Sequence, residues 1–383
     1  MPERIKNLTS IPAELAARRE PLLVSIYLPT HRYSPENEQD RIRFRNLVSQ
    51  VEKQLEAIGP KREYPALIAN LNVVETDLDR QVWRHAKDGL AVLASEDAVY
   101  VRKLSYPVDD IAVVSDRFVI KPLIRDFQYN CRCLLLAVSK DRFDVYATDG
   151  CTLEKLEMPK GVGNTLQEVF DDFDNHSSVN AGSYGGPEPR FHGHGSKSEV
   201  IDKETIKFFH YANDVFVEHF SRESDAPVIL VALPQYQSDF RDITTIPGLT
   251  EQGIEKTPVS LQEAELLSDA CSILKELQDA AIDKILENYG LYQSRGRATS
   301  DPREIAHALM QRTVSTLFVE EDAIIPGSMD ESTGAVSHED PEEGDEDLAD
   351  QFTRLTFAGG GDVYSLAKDR MPAEAGAAAL LRA

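Results

Sequence analysis

Residues 131–158 read CRCLLLAVSKDRFDVYATDGCTLEKLEM, three short apolar runs separated by the turn signals SKD and DG. Runs of this length punctuated by Asp-Gly read as consecutive strands of an antiparallel meander. Further along, residues 226–234 read APVILVALP, an apolar run without polar alternation, the pattern of a strand covered on both faces. Between the two lies a helix on which Ile206, Phe209, Phe216 and Phe220 share one face, with Ser196 and Glu199 spaced as a capping box at its start. Meander, helix and buried strand together predict an α/β domain built on a mixed sheet.

Just before that helix, residues 180–196 read NAGSYGGPEPRFHGHGS. Gly182, Gly185, Gly186, Gly193 and Gly195 add backbone freedom that the interior of a helix or strand would have to remove, so this is a loop presented by a rigid scaffold. It gathers Arg190, His192, His194 and Lys197. The His-x-His pair suggests metal, but a zinc site needs a third and usually a fourth ligand, and no spacing joins His176, Asp171, Asp172 or Asp174 to it. GHGSKS lacks the spacing of a phosphate loop, although amides at a helix start together with Lys197 suit a phosphate. Cys131 and Cys133 share a strand face and read as small buried thiols. No metal, cofactor or catalytic residue is therefore assigned.

Towards the N-terminus, strands are expected at 22–29, 89–95, 98–104 and 116–121, with a helix over 41–58 carrying Phe44, Leu47, Val48, Val51 and Leu55 at helical spacing. Arg41, Arg43 and Arg45 open that helix, where cations oppose the helix dipole and hint at an external anion such as phosphate. Towards the C-terminus, a long helix is expected over 261–289. A helix capped by Asp301 with Pro302 at its first position follows. Then come a strand over 313–322, a helix over 348–357 and a closing alanine-rich segment.

The 383 residues exceed one ordinary core. Three domains are expected, at 1–126, 127–255 and 256–383. Net charge is −24, which by itself argues against nucleic acid. Yet residues 1–150 sum to zero, and residues 320–350 hold thirteen acidic residues and no Lys or Arg, the pattern of a solvated acidic insertion. Four cysteines without a CxxC pair do not form a disulfide framework, and no apolar run spans a bilayer, so a cytoplasmic protein is expected.

The order of elements resembles the archaeo-eukaryotic class I release factor and Pelota superfamily in a bacterial form. SIYLPTHR (25–32), the Arg41 helix and KDGLAVLAS (87–95) are similar to its N-terminal domain. IKPLIRDFQYNCRCLLLAVSKDRFDVYATDG (120–150) and VILVALP (228–234) are similar to the central domain. REIAHALMQRTVSTLFVEED (303–322) and GGGDVYSLAKDRMPAEAGAAALLRA (359–383) are similar to the C-terminal domain.

The resemblance implies an N-terminal α/β domain, a central RNase H-like domain with a long functional loop, and a C-terminal α/β/α sandwich like ribosomal protein L7Ae. In that family a GGQ loop reaches the peptidyl-transferase centre, where the glutamine assists attack of water on the peptidyl-tRNA ester. Here Gly185 and Gly186 are followed by Pro187, and no glutamine occurs between Gln167 and Gln235. The codon-reading NIKS string is also absent from SPENEQDRIRF (34–44). The chain is thus more similar to the Balon-type ribosome hibernation factors than to a hydrolase. The expected function is occupation of the ribosomal A site in hibernation or rescue without peptidyl-tRNA hydrolysis. The expected RNA contacts are Gly185, Gly186, Arg190, His192, Gly193, His194, Gly195 and Lys197 in the loop, with Arg41, Arg43 and Arg45 in the N-terminal domain. A translational GTPase such as elongation factor Tu is the implied delivery partner. Two alternatives stay open: a peptidyl-tRNA hydrolase using His192 or His194 as base, and a metal-dependent nuclease or phosphoesterase.

Overall fold

The computed structural model describes residues 5–382 apart from 9–10, 12, 60–63, 77–81, 85, 130–131, 150–151, 171–196, 222–225, 259–261 and 338–346, with 13 and 197–202 described by backbone alone. The chain forms two compact units, Met1–Gln128 with Ala281–Ala383, and Tyr129–Ala280. Among the described residues no helix is long and apolar enough to cross a membrane.

The N-terminal segment of the first unit is a five-stranded sheet of β1 (Ile5–Asn7), β2 (Leu23–Pro29), β3 (Gly89–Ala94), β4 (Val99–Leu104) and β5 (Ile111–Ser115) in the order β1-β4-β3-β2-β5. Its helices are α1 (Ala13–Ala16), α2 (Asp40–Ile58), α3 (Pro65–Thr76) and α4 (Lys121–Gln128). Val24, Ile26 and Leu28 pack with Phe44, Leu47 and Val51 of α2 and Leu67 and Leu71 of α3. The alternate residues Leu23 and Tyr27 pack with Phe118, Ile120 and Leu123. Both faces are covered, which explains why these strands carry almost no polar alternation.

The second unit holds β6 (Arg132–Val138), β7 (Phe143–Asp149), β8 (Leu153–Lys155), α5 (Lys197–His219), β9 (Val228–Val231) and α6 (Pro234–Ile243). Its sheet runs β8-β7-β6-β9, antiparallel within the meander and parallel between β6 and β9. Leu134, Leu136, Phe143 and Val145 meet Phe208, Phe209 and Phe216 of α5 and Phe240 of α6. On the opposite face Leu135, Ile229 and Val231 meet Leu266 and Ala270 of α7 (Glu263–Glu287).

The C-terminal segment continues through α8 (Tyr289–Ser294), β10 (Ala298–Thr299), α9 (Pro302–Met310), β11 (Val314–Glu320), the hairpin β12 (Ser328–Met329) and β13 (Val336–Ser337), α10 (Leu348–Ala358), β14 (Asp362–Leu366) and β15 (Ala377–Leu381). Its main sheet runs β10-β15-β11-β14. Leu317, Val319, Ala377 and Ala379 pack with Ile305 and Leu309 of α9 and Phe352 of α10. Phe318, Ala378 and Leu380 point the other way, onto Ile282 and Tyr289. Asp301 accepts the Arg303 amide at 2.8 Å and Pro302 follows it, the predicted helix start.

Two sequence expectations are corrected. The strand expected at 116–121 lies instead at Ile111–Ser115, antiparallel to β2. Residues 116–120 lead into α4 because the amides of Ile120 and Lys121 are taken by the Asp350 carboxylate, each at 2.7 Å, and are not free for a strand ladder. The acidic run 320–350 is no uniform solvated insertion, since it supplies the β12–β13 hairpin, the cap of α10 at Asp347, and Asp350, only 3% exposed. Of the two cysteines read as small buried thiols, Cys133 is a buried free thiol whose pKa burial pushes up to about 12, and Cys131 lies outside the described residues; Cys271 is disulfide-bonded.

Asp350 is the hinge pin of the first unit. Its Oδ1 accepts the amides of Ile120 and Lys121 at the start of α4, and its Oδ2 accepts from Arg354 Nη1 at 2.6 Å. Burial pushes its carboxyl up, against the pull of Arg354 and the amides. Lys121 Nζ reaches Asp347 Oδ2 at 3.0 Å and donates to the Ala323 carbonyl, and Gln128 accepts the Ser365 amide at 2.8 Å. Asp350→Ala is expected to destabilise the first unit by about 3–5 kcal/mol, because Arg354 and two helix-start amides lose a buried acceptor. Asp350→Asn, which keeps an acceptor, is expected to cost less. Denaturant unfolding followed through Trp83 fluorescence measures both.

Candidate functional site

The central sheet fixes the residues on either side of the Gly/His loop. Before it, Thr165 and Glu168 close a capping box around a helical turn over 166–170: the Glu168 amide donates to Thr165 Oγ1 at 3.3 Å, and Glu168 Oε2 accepts the Asn164 amide at 3.1 Å. That bond to the Asn164 amide, with help from Thr165, holds the Glu168 carboxyl below its usual range. Val169 is buried in the core beneath. After the loop, α5 is pinned by aromatic contacts, with Phe143 and Phe208 centroids 5.9 Å apart and Phe209 and Phe240 centroids 5.8 Å apart.

A polar tether supplements them. Asn213, nearly fully buried on α5, accepts the Thr245 amide at 2.9 Å and the Thr244 hydroxyl at 3.1 Å, and its amide donates to Thr245 Oγ1 at 3.1 Å. The Tyr211 hydroxyl donates to the Gly163 carbonyl at 3.1 Å. The chain on both sides of the loop is therefore anchored to one core.

Residues 130–282 match the family model described as bacterial archaeo-eukaryotic release factor family 8. Over its central unit, the chain is similar to the bacterial archaeo-eukaryotic release factors. The matched span coincides with the compact unit Tyr129–Ala280 to within a few residues. Similar solved structures are an archaeal translation termination factor aRF1 (15% identity, 97% of this chain and 95% of that chain, TM-score 0.25), Archaeoglobus fulgidus Pelota (12%, 99% and 93%, 0.33) and S. cerevisiae Dom34 (10%, 76% and 79%, 0.33). Scores of this size carry no argument about function. No curated protein matches the sequence.

The loop residues expected to contact RNA, Gly185, Gly186, Arg190, His192, Gly193, His194 and Gly195, lie outside the described residues, and so does the side chain of Lys197, whose backbone opens α5. Among the described residues no group of three or more His, Cys, Asp or Glu side chains is placed to hold a metal ion. The three arginines of α2 are described, and each meets an acceptor within the fold. Arg41 donates to the Glu75 and Thr76 carbonyls at 2.7 and 3.2 Å, Arg43 to Asp110 at 2.8 Å, and Arg45 to Glu75 at 2.6 Å. These contacts are exposed, and exposed ion pairs are worth only about 0–1 kcal/mol, so a phosphate competing for the same guanidinium faces a small cost.

The sequence reading missed the anion that α2 already has. Asp40, 2% exposed in the first turn, accepts both the His31 amide at 2.8 Å and His31 Nδ1 at 2.7 Å. The helix start thus holds an internal carboxylate, and the imidazole it orients is 44% exposed. The signal was present as Thr-His-Arg followed by Asp40 at the helix start, but a pair nine residues apart across a loop has no periodicity to reveal it. Asn213→Ala is expected to lower stability by about 1–3 kcal/mol, the cost of stranding buried polar partners. Hydrogen–deuterium exchange should accelerate over 203–219 and stay unchanged in β2.

Proposed function

We propose that this protein binds the ribosome and occupies the tRNA A site in hibernation or rescue without hydrolysing peptidyl-tRNA. The observation that carries the reading is the match of residues 130–282 to the bacterial release factor family, across a stretch in which Gly185-Gly186 is followed by Pro187 instead of glutamine. Attack of water on an ester needs a positioned nucleophile and stabilisation of the developing oxyanion. Proline has neither the carbonyl nor the amide donors of a glutamine side chain. The segments that flank the loop are held by the central core, while proline stands where the resemblance implies the residue that orients water, which favours a binding role.

In this reading Arg190, His192, His194 and Lys197 contact ribosomal RNA, and the loop glycines let the backbone approach it closely. Arg41, Arg43 and Arg45 exchange their exposed intramolecular partners for phosphates. An L7Ae-like C-terminal sandwich and delivery by a translational GTPase, elongation factor Tu being one, belong to the same proposal. Among similar structures, one is described as ribosome-bound archaeal Pelota with ABCE1, and Dom34 is described as interacting with Hbs1.

The protein is expected to co-sediment with ribosomes from stationary-phase cells, with affinity falling as salt rises because phosphate contacts release counterions. Purified ribosomes carrying peptidyl-tRNA should keep the ester intact. Absence of the protein from every ribosomal fraction would overturn the translational reading. Ester release that disappears in His192→Ala or His194→Ala would replace the binding role with a hydrolytic one.

A further inference from the structure

The C-terminal segment contains an open pocket of about 400 Å³ between the end of α7, α8 and the β11 and β15 strands. Its wall includes Lys284, Ile285, Tyr292, Arg297, Thr316 and Leu380. No carboxylate lines it, although the chain carries a net charge of −24. Among the described residues neither Lys284 nor Arg297 has an ion-pair partner, and the neighbouring Asp283 is engaged by Arg370 at 2.7 Å.

Arg297 supplies a second, independent observation. Its guanidinium lies 5.5 Å from the centroid of the Tyr292 ring, and one terminal nitrogen makes only a long 3.4 Å contact to the Leu381 carbonyl. Its Nε is buried without an acceptor. The guanidinium, with five N–H donors, keeps donor capacity at its terminal nitrogens that no described residue of the fold takes up. The lining thus combines two cations without an ion-pair partner among the described residues with the aliphatic side chains of Ile285 and Leu380. Concave sites of a few hundred Å³ with apolar walls and a few converging polar groups are the form that small-molecule sites take. An RNA backbone, by contrast, needs an extended basic surface.

We infer that this pocket binds a nucleoside phosphate, with Arg297 and Lys284 holding the phosphate and Ile285 and Leu380 packing against the nucleoside. The terminal nitrogens of Arg297 donate to a phosphate oxygen, and Lys284, on the exposed face of its helix, closes the charge balance as a point charge. The site is distinct from the loop-bearing central unit and does not depend on the ribosomal reading.

Isothermal titration of the full chain with AMP, inorganic phosphate and adenosine, without ribosomes, tests it. AMP should bind saturably at one site and more tightly than either phosphate or adenosine. Affinity should fall by about tenfold or more in Arg297→Met, as loss of a charged hydrogen bond implies. Lys284→Met, on the exposed rim and able to change without disturbing the fold, should weaken AMP binding while the thermal transition stays in place. Absence of saturable AMP binding, or equal affinity in the Lys284→Met protein, overturns the site. Phosphate binding as tightly as AMP overturns the nucleoside assignment. Binding of a single-stranded RNA oligonucleotide but not of AMP overturns the small-molecule assignment.

Discussion

The first unit depends on one buried carboxylate. Asp350 lies on α10, yet the amides it accepts belong to Ile120 and Lys121, more than two hundred residues earlier in the chain. A charge this deep is tolerated only if every lone pair is spoken for, and here two helix-start amides and the Arg354 guanidinium do so. The arrangement is a helix N-terminus finding its anion on a distant segment instead of at its own cap. Because the bonds are short and the donors converge, α4 and α10 can meet in one register only.

Other contacts follow that register. Lys121 turns toward Asp347, itself the cap of α10, and Gln128 reaches the Ser365 amide of β14. Arg117 pairs with Glu331, and Arg125 with Glu321 at 3.2 Å. Ile124 of α4 joins the same apolar cluster as Phe352 and Val363. Acidic residues of the 320–350 run therefore serve as acceptors for cations of the N-terminal segment, which has the neutral balance such partners need.

Strong periodicity made most elements legible. The meander, the helix carrying Phe209 and Phe216, the buried VILV strand and the Asp301-Pro302 helix start could all be read because each depends on neighbours within a few residues. What could not be read depends on partners far apart. The 116–121 segment has the composition of a strand, and only Asp350 explains why it turns into α4. The acidic run looked solvated because composition reports charge and not burial. His31 and Asp40 are joined across a loop, where spacing carries no signal. Of the candidate site, the anchoring of α5 was legible in its apolar face, but the partners of Arg41, Arg43 and Arg45 on α3 and at Asp110 were not, since they come from loops and helix ends without a pattern linking them.

The Tyr129 hydroxyl donates to Asp279 at 2.8 Å, and Lys275 lies over the same ring at 4.9 Å. The two ends of the central unit, Tyr129 and the next-to-last residue Asp279, are thus held side by side. A stretch whose two ends meet is, in topological terms, an insert: the polypeptide leaves its host at one point and returns there. Such a module can be gained, lost or exchanged by recombination without re-threading the host's sheets, because both crossings are made at a single place. The pairing of Tyr129 with Asp279 makes the part that matches the family model a cassette in the chain.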